Sequence, residues 1–299
     1  MPSILAALKR KKLLVSDGAW GTMLMGAGLR PGECPELWSV ERPEALLNIG
    51  RQYLDAGADL ITTNSFGASR FNLARYGLGE RAAELNAAAA AISRQAAGPD
   101  HCVIASVGPT GKMVLMGDVT EQDLYDAFCE QVVALEKGGA DACCIETMSA
   151  IDEAIQAVRA AKDHTTLEVI CTFTFEREMG GVYYTMMGVT PEQMATALVE
   201  AGADIIGTNC SQGPLPMVSI VREMRAAAPT VPILVHPNAG CPTHTDAGDI
   251  YPETPESMAA CVHDLVSAGA DIIGGCCGTT PAHIRAIARA VDIERAQIA

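Results

Sequence analysis

Short apolar runs alternate with longer amphipathic stretches along the whole chain. Short runs bounded by turn residues are typical of buried strands, whereas longer stretches with apolar residues on one face are typical of helices. This pattern predicts eight strands, at residues 13–16, 60–63, 103–107, 142–146, 169–174, 205–208, 233–236 and 272–274. It also predicts eight main helices, at 44–56, 81–96, 122–137, 150–162, 191–201, 216–227, 255–268 and 281–291.

One short phrase recurs between these elements. Ala-Gly-Ala-Asp occurs at 56–59, 201–204 and 268–271, and Gly-Gly-Ala-Asp occurs at 138–141. A glycine that closes a helix just before a strand is typical of helix-to-strand connections. Eight alternations in this length predict an α/β fold, a (β/α)8 TIM barrel, as a single domain over 1–299. A doubly wound open sheet is the alternative, but no Gly-x-Gly-x-x-Gly follows the first strand.

Two longer connections interrupt this alternation, at 18–43 and 175–190. We expect both to be loops over the mouth of the barrel, where barrel enzymes place their chemistry. They contain five methionines: Met23, Met25, Met179, Met186 and Met187. These side chains could line an apolar pocket or simply fill gaps in the packing.

Composition and charge narrow the class of protein. The chain is 49% hydrophobic but only 4% aromatic, which predicts an aliphatic core, and its formal net charge is -15. Such a charge argues against binding to nucleic acid or to an anionic membrane. The chain has no apolar run near the ~20 residues of a membrane span, and its first residues do not resemble a signal peptide. With eleven cysteines, these features predict a protein of the reducing cytoplasm.

Three cysteines follow predicted strands and form a candidate metal site. Cys276 and Cys277 are adjacent, and Cys210 ends a strand with a nearly identical preceding phrase. Neighbouring side chains of a strand point to opposite faces, so the pair can serve one site only if the backbone bends. Three glycines give that freedom: Gly274, Gly275 and Gly278. Three thiolates without a fourth protein ligand predict a zinc site with an open position; buried, inert cysteines are the alternative.

The other cysteines have less specific surroundings. Cys143 and Cys144 lie inside one predicted strand without flanking glycines, so we expect both in the core. We expect the same of Cys102, Cys129, Cys171 and Cys261. Cys34 and Cys241 fall in loops, and Cys241 follows a turn near the barrel mouth without a role that the sequence explains. His236 ends a strand and is expected to form a hydrogen bond there rather than to bind metal.

Several longer motifs resemble those of one enzyme family. They are 17–22 (Asp-Gly-Ala-Trp-Gly-Thr), 63–66 (Thr-Asn-Ser-Phe), 108–111 (Gly-Pro-Thr-Gly), 145–147 (Ile-Glu-Thr), 209–214 (Asn-Cys-Ser-Gln-Gly-Pro), 236–240 (His-Pro-Asn-Ala-Gly) and 274–281 (Gly-Gly-Cys-Cys-Gly-Thr-Thr-Pro). With them the chain resembles the homocysteine S-methyltransferase family, and within it the homocysteine-binding barrel of cobalamin-dependent methionine synthases. The motif-bearing core covers about residues 13–292.

The resemblance implies an enzyme, a zinc-dependent thiol methyltransferase. It implies that Cys210, Cys276 and Cys277 bind one Zn²⁺, with the substrate thiol as fourth ligand. It also implies that Glu146 and the turn Asp17, Gly18 and Ala19 hold the amino and carboxylate ends of homocysteine. A carboxylate suits an ammonium group, and backbone N–H groups of a turn suit a carboxylate. Further candidates for substrate contact are Asn64, Thr147 and Asn209, which could equally well fix loops.

The methyl donor divides the family into branches. The motifs at 108–111 and 236–240 look like the corrinoid branch, but 299 residues leave no room for that branch's further domains. We therefore expect a methyl-corrinoid on a separate protein as donor and homocysteine as acceptor, giving methionine. The alternatives are S-methylmethionine as donor, or a corrinoid-linked enzyme with another thiol acceptor. A zinc-holding protein without turnover is the alternative from a different class.

Overall fold

A ring of parallel strands forms the centre of the protein, which a computed structural model describes over residues 3–177, 180–245 and 248–298. The strands are Leu14–Val15 (β1), Leu60–Thr62 (β2), Cys102–Val107 (β3), Ala142–Met148 (β4), Glu168–Phe173 (β5), Ile205–Asn209 (β6), Ile233–His236 (β7) and Ile272–Ile273 (β8). Each pairs with its neighbour in chain order from β2 to β8, and β8 pairs with β1. A bridge between Ser16 and Leu60 joins β1 to β2. The predicted (β/α)8 barrel is therefore confirmed.

Helices surround this ring. The main ones are Pro43–Asp55, Ala82–Ala97, Glu121–Lys137, Ile151–His164, Pro191–Ala201, Pro214–Ala227, Pro255–Ala260 with Val262–Ala268, and Pro281–Ile298. The predictions match them closely, except that Cys261 interrupts the seventh and the last runs on to Ile298. Proline opens several of them, because its fixed φ suits the first helical turn and its missing N–H costs nothing there. Within the described residues, no helix combines the length and apolar character needed to cross a membrane.

The four repeated Gly-Ala-Asp phrases share one structural role. Their glycines end helices with φ between +92° and +113°: Gly57, Gly139, Gly202 and Gly269. Each aspartate accepts an N–H from the preceding odd-numbered strand at 2.7–2.9 Å: Asp59 from Val15, Asp141 from Val103, Asp204 from Val169 and Asp271 from Ile233. Each also pairs with a cation: Lys11 and Arg295, Arg94, Lys162, and Arg225, respectively. The strands are thus joined in pairs at the N-terminal end of the ring.

The interior of the ring has an apolar lower layer. Its strand residues are Leu14, Leu60, Cys102, Ile104, Ala142, Cys144, Ile170, Ile205, Leu234 and Ile272. Ile4 and Leu8 of the N-terminal helix Ile4–Lys11 pack against them from below. Glu168 holds the start of this helix, because its carboxylate accepts the N–H of Ile4 at 2.6 Å. The helix therefore closes the bottom of the barrel.

The upper layer of the interior is polar. Side chains of a strand alternate in direction, so positions two or four residues beyond the apolar layer also point inward. These positions hold Ser16, Thr62, Ser106, Glu146, Thr172, Asn209 and His236. The chemistry of the barrel is thus confined to its C-terminal mouth.

Two segments predicted as loops contain regular structure. Segment 18–43 includes the helices Trp20–Gly26 and Trp38–Glu41 and the 3-10 turn Pro35–Leu37. Segment 175–190 includes a hairpin of Glu176–Arg177 with Tyr183–Tyr184. The helix Arg70–Ala74 and a hairpin of Thr243–Thr245 with Gly248–Ile250 were also not predicted. Strands this short show no alternation that a sequence pattern could reveal; Met179, one of the five loop methionines, lies outside the described residues.

Candidate metal centre and substrate site

The ends of β6 and β8 bring three cysteines together at the mouth of the barrel. The Sγ atoms of Cys210, Cys276 and Cys277 all lie within 4.8 Å of one another. The sulfurs of Cys210 and Cys277 are 3.8 Å apart. Behind the pair the chain turns sharply, and the Cys276 carbonyl accepts hydrogen bonds from the Thr279 N–H at 3.1 Å and hydroxyl at 2.7 Å. The three thiols that the sequence placed in one group therefore do lie together.

The glycines of this turn have two different roles. Only Gly278 has a positive φ, +80°. A Cβ at Gly274 would lie 2.7 Å from the Asp17 carbonyl oxygen, and one at Gly275 would lie 2.5 Å from Thr279 Oγ1. From the sequence, all three glycines were expected to serve backbone freedom. This is wrong for Gly274 and Gly275, where glycine is required because a larger side chain would not fit.

The segment 236–239 at the end of β7 connects the two cysteine loops. Each cysteine is tied to it through the backbone: the Cys210 N–H donates to the His236 carbonyl (3.0 Å), the Cys276 N–H to the Pro237 carbonyl (2.8 Å), and the Ala239 N–H to the Cys277 carbonyl (2.9 Å). One short segment thereby fixes the relative positions of all three thiols.

Side chains near the sulfurs complete the group. The side chain of Asn238 lowers the pKa of Cys210, and that of Tyr251 lowers the pKa of Cys277, each through hydrogen bonding to the sulfur. Asn238 is 3% exposed, and its Oδ1 has no hydrogen-bond partner in the described part of the chain. His236 was expected to form a strand-end hydrogen bond, but its buried Nε2 likewise finds no partner among the described residues. Burial lowers the pKa of His236 to about 4.

Electrostatics distinguish these thiols from the other cysteines. Hydrogen bonds from Cys276 and Cys277 lower the pKa of Cys210 to about 3. The hydrogen bond with Cys210 raises the pKa of Cys277 to about 11, because the two thiols share one negative charge. By contrast, burial raises the pKa of Cys144 well above its ordinary value. The cluster therefore holds a thiolate readily, whereas the core thiols stay protonated and inert.

The remaining cysteines lie largely where the sequence placed them. Cys143 and Cys144 are buried on opposite faces of β4. Cys143 packs in the large core between strands and helices, and Cys144 packs in the apolar lower layer inside the ring. Of the others expected in the core, Cys102 and Cys171 are buried, whereas Cys129 and Cys261 are half-buried. Of the two loop cysteines, Cys34 is buried and Cys241 is exposed.

Asp17 lies beneath the mouth and is 1% exposed. Its Oδ2 accepts hydrogen bonds from Trp20 Nε1 at 2.8 Å, from the Thr62 N–H at 2.7 Å and from the Thr62 hydroxyl at 3.0 Å. Burial nevertheless raises the pKa of Asp17 to about 6. Asp17 therefore holds β1, β2 and the helix Trp20–Gly26 together as well as facing the site.

Glu146 points into the barrel near the top of β4. Its Oε1 accepts a hydrogen bond from the hydroxyl of Ser106 on β3. Burial raises the pKa of Glu146 to about 7, and the charges of Asp17 and Cys210 add to the rise. A half-buried carboxyl group with a raised pKa and one hydrogen bond gains stability from a cationic partner.

Thr147 and Asn209 fix the strand on which Glu146 lies. The register of β4 against β5 shifts between Ile145 and Met148, and Thr147 has a φ of +62°. Asn209 Oδ1 accepts the Thr147 N–H at 2.8 Å and the Thr172 hydroxyl at 2.7 Å. Asn209 Nδ2 donates to Thr147 Oγ1 at 2.8 Å. These polar groups are committed to one another, so their direct contact with a substrate stays a prediction.

Asn64, Gly18 and Ala19 lie on the neighbouring loops. Asn64 Nδ2 donates to the Pro35 carbonyl at 2.7 Å and holds segment 18–43 against β2. The Ala19 N–H donates to Thr279 Oγ1 at 3.0 Å. A Cβ at Gly18 would lie 2.7 Å from the same oxygen. The turn at 17–19 is therefore packed directly against the cysteine loop.

Several residues of the site were not named as site residues from the sequence, although Trp20, Asn238 and Thr279 lie within its motifs. They are Trp20, Thr62, Ser106, Asn238, Tyr251 and Thr279, which contact the carboxylates, the sulfurs or the cysteine loop. For Thr62 and Ser106 a signal existed, because each stands two residues after an apolar inward position on its strand. Tyr251 follows the unpredicted hairpin, and no pattern indicated it.

Comparison with known proteins identifies relatives of this chain. Residues 14–291 match the homocysteine S-methyltransferase family. The chain is 34% identical to methionine synthase of Mycobacterium tuberculosis over 94% of its own length, and 33% identical to that of Mycobacterium leprae, also over 94%. It spans about a quarter of the length of these curated relatives, 25% and 24%.

A solved structure shares the fold over its full length. The metallated homocysteine methyltransferase MmuM of Escherichia coli superposes with a TM-score of 0.77 at 24% identity, covering 95% of this chain and 98% of that one. At that identity the likeness concerns the fold. The extended match to the family and the identity to the mycobacterial relatives show more: the chain belongs to the homocysteine S-methyltransferase family.

Proposed function

We propose that this protein is a zinc-dependent thiol S-methyltransferase that converts homocysteine to methionine, with a methyl-corrinoid on a separate protein as donor. The group of three cysteine sulfurs within 4.8 Å at the barrel mouth carries the proposal. Reaction with the donor forms a sulfur–carbon bond and breaks the cobalt–carbon bond, whose electron pair stays with the corrinoid. No residue is needed as a general acid or base in that step.

The cysteine group fits a zinc ion. Two sulfurs at about 2.3 Å from a tetrahedral zinc are about 3.8 Å apart, and the sulfurs of Cys210 and Cys277 are 3.8 Å apart. The side chain of Asn238, whose buried Oδ1 lacks a partner among the described residues, lies next to Cys210. Bound zinc would supply the positive charge that makes a substrate thiol a thiolate at neutral pH.

The carboxyl groups of Asp17 and Glu146, together with the turn at 17–19, suit the charged ends of an amino acid. Glu146 would hold the ammonium group, since its half-buried carboxyl has one hydrogen bond and pairs with no cation among the described residues. The N–H of Gly18 would hold the carboxylate, because that of Ala19 is taken by Thr279. Asp17 would act mainly by fixing this turn, and Asn64, Thr147 and Asn209 by holding the loops around it.

A second candidate donor is S-methylmethionine. A cavity of about 350 Å³ beside Thr147 is lined by methionines and by the carboxylates of Asp152 and Glu176. Apolar walls with carboxylates suit a sulfonium cation. The two donors predict the same site residues and are separated by experiment.

The test is a demethylation assay with zinc-loaded protein, free methylcobalamin and homocysteine, followed through the cobalamin spectrum. Turnover is expected with the wild type and should vanish in Cys276→Ser. Cys261→Ser is the matched control, because a serine there can still donate to the Ser257 carbonyl as the thiol does. Absence of turnover in zinc-loaded wild type, with activity on S-methylmethionine, would overturn the corrinoid donor.

The metal is tested separately. Cys210→Ser should lose bound zinc and activity, measured by metal analysis, while its melting temperature stays close to that of the wild type. The large aliphatic core is expected to hold the barrel together without the metal. Zinc retained at one ion per chain in this variant would contradict the assignment of the site.

A further inference from the structure

Two loops beside the candidate site expose a group of large apolar side chains. We call it the methionine surface: Met113, Leu115, Met116, Met186 and Met187. Leu115 is 82% exposed, Met186 73% and Met116 71%. Single exposed apolar residues are ordinary, but a contiguous group marks a site of interaction. Methionine side chains are flexible and polarisable, which suits a surface that packs against a partner.

The methionine surface is continuous with the candidate site. Met113, Leu115, Met186 and Met187 line the cavity of about 350 Å³, and Thr147 and Thr174 line it too. Thr147 Oγ1 accepts a hydrogen bond from the side chain of Asn209, and the Thr174 hydroxyl donates to the Asn209 carbonyl at 2.9 Å. Asn209 directly precedes Cys210. A partner seated on this surface would therefore lie next to the cysteine cluster.

Charges around the surface indicate the character of that partner. Asp152 and Glu176 are exposed at the cavity, and among the lining residues that the structure describes Lys112 is the cation. Glu153 also lines it, but its carboxylate is occupied by the N–H and hydroxyl of Thr110. With a net charge of -15 over the chain, this edge favours a partner with an apolar centre and a basic rim.

We propose that the methionine surface is the docking face for the protein that presents the methyl-corrinoid. The proposal rests on the proposed function. A small donor inside the cavity would leave the outward side chains of Leu115, Met116 and Met186 uncovered, whereas a protein surface would bury them. The partner meets the barrel on the side of β3 and β5, and its donor then reaches across Thr147 to the cysteine cluster.

The experiment compares two donors with one pair of variants. The donors are free methylcobalamin and the methylated corrinoid-binding fragment of a cobalamin-dependent methionine synthase. Leu115→Ser combined with Met186→Ser is expected to lower kcat/KM about tenfold or more with the fragment, since buried apolar contacts dominate interfaces. With free methylcobalamin the same variant should stay within about twofold of wild type. Ile293→Ser is the control, an exposed apolar residue (61%) on the helix Pro281–Ile298.

Every outcome of the two-donor comparison either supports or contradicts the docking face. An equal fall with both donors would place a small donor in the cavity and overturn the docking face, as would an unchanged rate with the fragment. Wild type that uses free methylcobalamin but not the fragment would overturn it too, together with the separate corrinoid protein as donor, while leaving zinc-dependent methyl transfer to homocysteine intact. Wild type inactive with both donors would refute the corrinoid donor itself and this partner with it. With the fragment alone, KM should rise with ionic strength, because the acidic edge contributes to docking.

Discussion

At the scale of single residues, the site depends on the carboxyl groups of buried Asp17 and half-buried Glu146, whose charge states are set by their surroundings. Burial raises the pKa of Glu146 to about 7 from its ordinary value of 4.5. The folded protein therefore binds a proton that the unfolded chain has lost between those values. By linkage, Glu146 lowers the free energy of unfolding as pH rises through this window. The effect of Glu146 on binding of the amino acid has the opposite sign and increases with pH, because only the ionised carboxylate pairs with the ammonium group.

The first prediction uses this titration. Methionine, the proposed product, carries the ammonium group but no titrating thiol, so its binding isolates Glu146. Its affinity should rise about tenfold between pH 6 and 8, as a group with a pKa near 7 ionises. Calorimetric titration of wild type and Glu146→Gln would measure this. A pH dependence that persists in Glu146→Gln would assign the effect to Asp17 instead, whose pKa is about 6.

A second prediction concerns Asn209, which connects the strand of Glu146 to the loop of Cys210. Asn209→Ala removes three hydrogen bonds to Thr147 and Thr172. Thr147 then loses the support for its positive φ, and Glu146 shifts. Affinity for methionine should fall about tenfold to a hundredfold, in line with the effect of small misplacements in a site, with zinc content unchanged.

Asn86→Ala is the matched control for that experiment. Asn86 is also fully buried, and its Nδ2 donates to the carbonyls of Ala68 and Ala82 away from the mouth. It should cost stability without weakening methionine binding. Equal losses of affinity in the two variants would mean that Asn209 acts through general stability alone.

At the scale of elements, the turn after β8 sets the positions of two thiols. Gly278 combines a φ of +80° with the ring of Tyr251, whose Cγ would lie 2.2 Å from an added Cβ. Gly77 has a similar φ, +72°, but no atom of the described residues would lie within 4 Å of a Cβ added there. Substitution of Gly77 therefore tests backbone strain alone, whereas substitution of Gly278 tests strain together with crowding.

The third prediction compares these glycines. Gly77→Ala should lower the free energy of unfolding by about 1 kcal/mol through strain alone. Gly278→Ala should cost about 1–3 kcal/mol more, because the turn must shift, and it should reduce zinc affinity. Urea unfolding and a chelator competition would measure both quantities. Identical behaviour of the two variants would show that Tyr251 yields freely.

The elements also show what the sequence could predict. Eight strands, eight main helices and the barrel followed from apolar periodicity and from proline and glycine at helix ends, and the family and enzyme class predicted from the motifs were confirmed. The register shift in β4 depends on how Ile145 and Met148 meet β5, which no local pattern records. Cys210 and Ser211 adopt φ values of +63° and +62° without being glycine. Such positions are held by their neighbours, so tertiary contacts decide them.

At the scale of the whole molecule, the barrel separates stability from chemistry. The lower layer is apolar and closed by the helix Ile4–Lys11, and the repeated aspartates join the strands there. Among these aspartates, the side chain of Asp141 is 2% exposed and that of Asp204 is 26% exposed. The contact of an aspartate with a cation and a strand N–H is therefore buried at Asp141 and partly exposed to solvent at Asp204.

The fourth prediction follows from that difference. Asp141→Ala leaves Arg94 and the Val103 N–H without their carboxylate and should cost about 3–5 kcal/mol, as for a broken buried pair. Asp204→Ala should cost about 1 kcal/mol, because water can replace the partner. Neither should change methionine binding. Urea unfolding checks the order, and a larger loss at Asp204 would contradict it.

The four aspartates have a consequence for chain connectivity. Each joins an even-numbered strand to the odd-numbered strand before it, so β1–β2, β3–β4, β5–β6 and β7–β8 are equivalent two-strand modules. A circular permutant opened between modules, for example before β3, keeps every such carboxylate within one continuous module. One opened inside a module, between β3 and β4, assigns Asp141 and the amide that it binds to opposite ends of the new chain. The architecture thus has a natural unit of rearrangement, and that unit is a quarter of the barrel.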